Sequence, residues 1–140
     1  MTQGNGYLGE ALYTLAAGII RRRSRMLSLT ALSTLATLER TGPRRLTDLA
    51  VAEEITQPSM TSLVTQLEQS GLAERRRDRV DGRVVLVAIT RDGRQLLRQR
   101  RRVGAQALTE LIDKLDEQDA AELKAALPAL LRLVNLVSES

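Results

Sequence analysis

The hydrophobic pattern of the chain changes period at Gly71, and that change restricts the fold more than any other feature. Upstream of it, Met60, Leu63, Val64 and Leu67 follow the i, i+3, i+4, i+7 spacing of a helix with one buried face. Thr56 is placed to cap that helix. Gln57 and Pro58 suit its first turn, where proline gives up only a donor that has no helical partner. Gly71 then supplies a left-handed stop. Downstream, the charged run ERRRDRVDGR (residues 74–83) leads into Val84, Val85, Leu86, Val87, Ala88 and Ile89, a β-branched run that ends at Thr90. Residues 72–77 and 83–89 are predicted to pair around Asp81-Gly82 as a hairpin with an arginine-rich tip.

The other side of the 57–69 helix carries Gln57, Ser59, Thr61, Ser62, Thr65, Gln66 and Gln69. All are short hydrogen-bonding side chains, with no large apolar group among them. A polar-faced helix followed directly by a basic hairpin outlines a winged helix-turn-helix. In that arrangement the helix suits a major groove and the hairpin an adjacent minor groove. The preceding segments agree. Ser28 can cap a helix over 28–41 with Leu29, Leu32, Leu35, Ala36 and Leu38 inward, and Gly42-Pro43 breaks it. Thr47 is predicted as N-cap of a short helix over 48–55, and the tight connection at Ile55-Thr56 has helix-turn-helix spacing.

Both ends are helical in pattern. Residues 1–6 read as a frayed terminus, and 7–20 as a helix with Leu8, Ala11, Leu12, Leu15 and Ile19 on one stripe. Arg21, Arg22, Arg23 and Arg25 close it, either as a solvated helix end that complements the dipole or as phosphate contacts. Thr90 can cap a following helix of about 25 residues. A last helix begins at Asp116 or Gln118, and Pro128 within it predicts a kink or local break. The terminal helices hold more leucine than one small core can use, which points to a helical dimer interface. The alternative is a monomer whose terminal helices cover its own core.

Composition narrows the chemistry. The 140 residues include no His and no Cys, so the commonest general bases, nucleophiles and transition-metal ligands are missing, as are disulfides and thiol redox sensing. No grouping of carboxylates, Ser/Thr, Tyr, Lys114 or Lys124 resembles a catalytic site, so the chain is expected not to be an enzyme and to need no cofactor. No apolar run approaches the ~18 residues that span a bilayer, which predicts a cytoplasmic protein with no membrane partner. Charge is uneven: residues 1–70 hold 7 basic and 6 acidic side chains, 71–102 hold 11 and 4, and 103–140 hold 3 and 7. A positive field concentrated on the hairpin and the next helix suits a polyanion. Nineteen of the 21 basic residues are Arg, which forks onto phosphate or guanine and fills a narrow minor groove.

In this order of elements the chain resembles the multiple-antibiotic-resistance-regulator (MarR) family of bacterial transcription factors over nearly its whole length. Residues 46–55 (LTDLAVAEEI), 57–72 (QPSMTSLVTQLEQSGL) and 81–93 (DGRVVLVAITRDG) carry the likeness. The first of the wing matches is Asp81-Gly82-Arg83, which resembles the family's Asp-x-Arg motif. Ile89-Thr90-x-x-Gly93 resembles its entry into the next helix.

The resemblance implies a homodimer on double-stranded DNA at a pseudo-palindromic operator, usually as a repressor. Carried over by position, Gln57, Ser59, Thr61, Ser62, Thr65 and Gln66 would meet bases and phosphates. Arg83 would enter the minor groove with Asp81 orienting it, Arg79 would be a further wing contact, and Thr47, Arg76 and Arg77 would support on phosphates. Ser62 departs from the pattern, because a basic residue is frequent there, and this shifts weight to Gln57, Gln66 and the wing. Many members also release DNA on binding a small aromatic or anionic effector. Tyr7, Tyr13 and Met26 could line such a pocket, or the tyrosines could simply pack in the dimer with exposed hydroxyls.

The expected layout is mainly α with a small β-hairpin wing. It comprises an N-terminal dimerisation helix (1–27), a winged helix-turn-helix DNA-binding lobe (28–90) and C-terminal dimerisation helices (91–140), together one structural domain. The alternative function is that of a nonspecific or architectural DNA-binding protein of the same fold.

Overall fold

The structure, a computed structural model, describes residues 2–21 and 27–139. Its elements run α1 (Thr2–Arg21), α2 (Leu29–Thr41), β1 (Arg44–Arg45), α3 (Leu46–Ala52), α4 (Gln57–Gln69), β2 (Ala73–Arg77), β3 (Val85–Ile89), α5 (Arg91–Ile112), α6 (Glu117–Ala125) and α7 (Leu127–Glu139). The chain falls into two compact units, one running to Arg102 and one starting at Val103.

Within the first unit the core is aliphatic, as a chain without Phe or Trp requires. Leu35, Leu49, Met60 and Val64 are fully buried, and Leu38, Leu67 and Val87 are at 1% exposure. They bring α2, α3, α4 and the sheet onto one cluster. Thr34 is the buried polar residue among them, and its hydroxyl donates to the Thr30 carbonyl at 2.8 Å, so burial leaves no orphan donor. The sheet is antiparallel in the order β1-β3-β2.

Helices α3 and α4 end in the same device. After α4, the Gly71 N–H bonds the Glu68 carbonyl and the Leu72 N–H bonds the Leu67 carbonyl, with Gly71 at φ 72°. After α3, Glu54 N–H bonds the Val51 carbonyl and Ile55 N–H bonds the Ala50 carbonyl. Both are Schellman closures, and each needs a left-handed residue at the first position past the cap. In α4 that residue is glycine. In α3 it is Glu54 at φ 54°, a conformation that strains an L side chain.

Thr90 locks the wing to the next helix. Its hydroxyl donates to the Gly71 carbonyl at 2.6 Å and accepts the Gly93 N–H at 3.1 Å, while its own N–H bonds the Leu72 carbonyl. Gly93 is required by that approach, since an added Cβ would lie 2.2 Å from the Leu72 carbonyl oxygen.

Several boundaries differ from the sequence reading. Strand β1 was not foreseen, and it moves the start of α3. Arg44 pairs with Val87 and Arg45 with Leu86, so the chain enters α3 straight from the strand. The N-cap is therefore Arg45, with no side-chain cap bond, and Thr47 is an exposed residue inside the first turn. The helix stops at Ala52, short of the predicted 55, because the turn through Glu53 and Glu54 intervenes. Helix α1 begins at Thr2, so residues 2–6 are helical instead of frayed. Helix α5 ends at Ile112, at 22 residues a little shorter than the expected length. The break expected at Pro128 is present, separating α6 from α7 at Ala126.

The second unit holds the end of α5, then α6 and α7. Asp116 caps α6 by accepting the Asp119 N–H at 2.8 Å. No described residue from 103 onward is buried. Leu127, Leu131, Val134 and Val137 on α7 are 53–78% exposed.

Candidate nucleic-acid interface

Helix α4 is anchored by Met60, Val64 and Leu67, so its other side must face solvent. Thr56 caps it as predicted, accepting the Ser59 N–H at 3.3 Å and donating its own hydroxyl to Ser59 Oγ at 2.8 Å. Gln57, Ser59, Thr61, Ser62 and Gln66 are exposed, and Thr65 is half-buried. Hydrogen bonding divides them. Thr61 and Thr65 donate back to the Gln57 and Thr61 carbonyls, each at 2.9 Å, and Ser59 is tied to Thr56. Gln57, Ser62 and Gln66 hold no such bond among the described residues, so their exposed donors and acceptors are uncommitted.

The wing follows from strand alternation and loop chemistry. Strands β2 and β3 pair from Ala73↔Ile89 to Arg77↔Val85. Residues 78–84 form a longer loop than a two-residue turn. Asp78 N–H bonds the Val84 carbonyl, and Val84 N–H returns to the Asp81 carbonyl, both at 2.9 Å. Two aspartates hold the loop from within: Asp78 accepts the Val80 N–H at 3.0 Å, and Asp81 accepts the Arg83 N–H at 3.1 Å. Arg77 Nη1 bonds the Gly82 carbonyl at 3.1 Å. Arg83 stands at the tip with its side chain 97% exposed and its Nε 4.0 Å from Asp81 Oδ1. Asp81 thus holds the backbone that presents Arg83 and lies beside its guanidinium. Arg79 is also exposed at the tip.

The hairpin arginines separate by face. Arg75 lies against α4, where its guanidinium ion-pairs with Glu68 and reaches Thr65 Oγ1 at 3.4 Å, and its N–H bonds Glu68 Oε1 at 3.0 Å. This brace couples wing to recognition helix. Sequence reasoning missed it, although the i, i+2 alternation of Arg75, Arg76 and Arg77 carried the signal. Arg76 projects from the opposite face of the sheet, and Arg77 is engaged within the wing. A second ion pair that was missed, Glu39 with Arg101, ties α2 to α5. It joins residues 62 apart in sequence, a separation at which no periodicity speaks.

Tyr7 and Tyr13, the expected effector-pocket residues, are each 77% exposed on α1, and Met26 lies outside the described residues. Among the described residues no cluster of three or more Asp or Glu could hold a metal ion, and no helix is long and apolar enough to cross a membrane.

A helix-turn-helix with an outward polar recognition helix, followed by a braced basic hairpin, defines a winged-helix DNA-binding protein. Relatives place it further. The MarR family profile matches residues 27–85. An HTH-type transcriptional regulator of Mycobacterium tuberculosis is 33% identical over 115 residues, covering 82% of this chain and 80% of the relative. The chain belongs to the MarR family and is a transcriptional regulator, a class that works by binding DNA and not by catalysis. Among solved structures, a transcriptional regulator from Thermotoga maritima matches at TM-score 0.77 and 18% identity, covering 100% of this chain and 99% of its own. FabT of Streptococcus pneumoniae, solved in complex with DNA, matches at TM-score 0.57 and 21% identity over 97% of this chain and 98% of that one. Both likenesses are of fold.

Proposed function

We propose that the chain is a homodimeric, ligand-responsive repressor of the bacterial cytoplasm that binds a pseudo-palindromic operator. Two copies of α4 would enter successive major grooves about one helical turn apart, near 10 base pairs. Gln57, Ser62 and Gln66 would read base edges, with Ser59, Thr61 and Thr65 on phosphates or as acceptors. Arg83, oriented by Asp81 and helped by Arg79, would enter the flanking minor groove. Thr47, in the first turn of α3, and Arg76 and Arg77 would support on phosphates. The single observation that carries this reading is the wing tip, where an almost fully exposed Arg83 is held by Asp81 and has no other partner among the described residues.

Dimerisation rests on the exposed leucines and valines of α7 and the apolar stripe of α1, including Leu8 and Leu15. The layout would then be a dimerisation helix over 1–27, a DNA-binding lobe over 28–90 and dimerisation helices over 91–140. Release of DNA would follow from a small aromatic or anionic effector at Tyr7 and Tyr13 that alters the separation of the two lobes.

Arg83→Ala is expected to weaken binding to a selected operator by about tenfold or more with the dimer intact, measured by fluorescence anisotropy. Unchanged affinity would remove the wing from the mechanism. The concentration of 11 basic against 4 acidic residues over 71–102 supports a second reading, a nonspecific DNA-binding protein. Competition with unrelated DNA separates the two, since a regulator's own site wins by ~10³-fold or more.

A further inference from the structure

On the face of the sheet turned away from α4 lies a cleft of about 230 Å³, between the end of α2, strand β2 and the start of α5. Alternation along the strand explains what it contains. Ala73, Arg75 and Arg77 share the α4 side with Ile89, Val87 and Val85, which sends Glu74 and Arg76 to the other side. Leu38 and Pro43 form an apolar wall. Arg76 from β2, with Arg91 and Arg94 from the first turn of α5, brings three guanidiniums to the cleft against one carboxylate, Glu74.

These arginines differ from their neighbours. Arg75, Arg77 and Arg101 each reach a protein oxygen, whereas the guanidiniums of Arg76, Arg91 and Arg94 make no hydrogen bond or ion pair among the described residues. Three like charges around one concavity repel one another. Arg91 and Arg94 also sit at the positive end of a 22-residue helix, where cations are disfavoured. Of the residues that line the cleft, Glu74 alone carries the opposite charge. A bound anion would compensate the rest.

We propose that this cleft is an oxyanion site that takes a phosphate group. Guanidiniums arriving from β2 and α5 fork onto separate phosphate oxygens, and the net charge of +2 at the cleft suits a dianion. A water occupies about 30 Å³ in the liquid, so the cleft has room for a tetrahedral oxyanion and its remaining hydration. The same chemistry serves a DNA backbone phosphate or a small phosphorylated solute. Glu74 opposes either one, and so sets the affinity.

The test is a titration of the full chain with inorganic phosphate at constant ionic strength, followed by NMR through backbone amides and arginine Nε–H resonances. Saturable shifts confined to Arg76, Arg91, Arg94 and their neighbours are expected. Arg91→Ala with Arg94→Ala should weaken them by about tenfold or more. Glu74→Gln should tighten binding, a gain that damage to the fold would not produce. Chain-wide shifts that do not saturate, or an affinity indifferent to Glu74→Gln, would overturn the site. DNA binding across a salt series then assigns the source. A slope in log K against log salt that falls by about 2 in the double variant places a DNA phosphate there. An unchanged slope in the double variant, although its phosphate binding is weakened, places a free solute there. Because the phosphate arm uses no DNA, it stands or falls independently of the operator reading.

Discussion

The lobe formed by α2 to β3 and the helices beyond residue 103 are built from the same few aliphatic residues, yet they use them in opposite ways. In the lobe, Leu35, Leu49, Met60 and Val64 have no exposed surface, the starts of α2 and α4 are capped by Ser28 and Thr56, and α3 and α4 end in Schellman turns. In α6 and α7 no residue is buried, and leucines and valines stand open along the helix face. Composition cannot explain the difference. The lobe surrounds its stripes with three further elements, whereas α7 has only α6 beside it in sequence. A helix that hydrophobic, with nothing over it, is stable when a second apolar surface covers it. The lobe completes its own core, and on the proposed reading the terminal helices would complete theirs with another copy.

The same truncation on each side should break the comparison most visibly. Leu35→Ala is expected to cost the lobe about 2–5 kcal/mol in denaturant unfolding, because a fully buried side chain leaves a cavity. Leu131→Ala, at a residue 55% exposed, should change unfolding of the isolated chain by less than about 0.5 kcal/mol. Its effect should appear instead as self-association weakened by about tenfold or more.

Glycines give the next contrast. Gly93→Ala forces a Cβ to 2.2 Å from the Leu72 carbonyl oxygen and 2.7 Å from Ile89 Cγ1, so the Thr90 junction should lose about 1–3 kcal/mol. Gly104→Ala, in the same α5 but with nothing within 4 Å, should gain about 0.5–1 kcal/mol of helix stability, read as a higher melting midpoint. Of similar size is Glu54→Gly. It relieves the left-handed strain at the end of α3 and should stabilise by about 0.5–1 kcal/mol, where the same change at an exposed helical glutamate would destabilise.

What was legible in the chain follows the reach of the signals. Helix α4, its Thr56 cap, its Gly71 stop and the hairpin pairing all lie within a few residues of the groups that cause them, and each was readable from spacing. Strand β1 was not. Two arginines carry no β pattern of their own, and the strand exists because Leu86 and Val87 offer it an edge some 40 residues later. Losing β1 displaced the start of α3 and gave Thr47 a capping role that falls to Arg45. At the interface, the polar composition of α4 was plain. Which hydroxyls were spent on their own helix was not, because Thr61 and Thr65 fold back on carbonyls that an exposed threonine is free to ignore. The division of Arg75, Arg76 and Arg77 between three environments required the register and the position of Glu68.

Sedimentation equilibrium of the intact chain at micromolar concentration tests the contrast between the two regions most directly. A mass of twice 15.5 kDa, reduced to 15.5 kDa by a charged substitution such as Leu131→Glu with the lobe still folded, is the predicted result. A chain that sediments at 15.5 kDa with α7 fully helical would mean that the exposed leucines need no second copy, and would contradict the account.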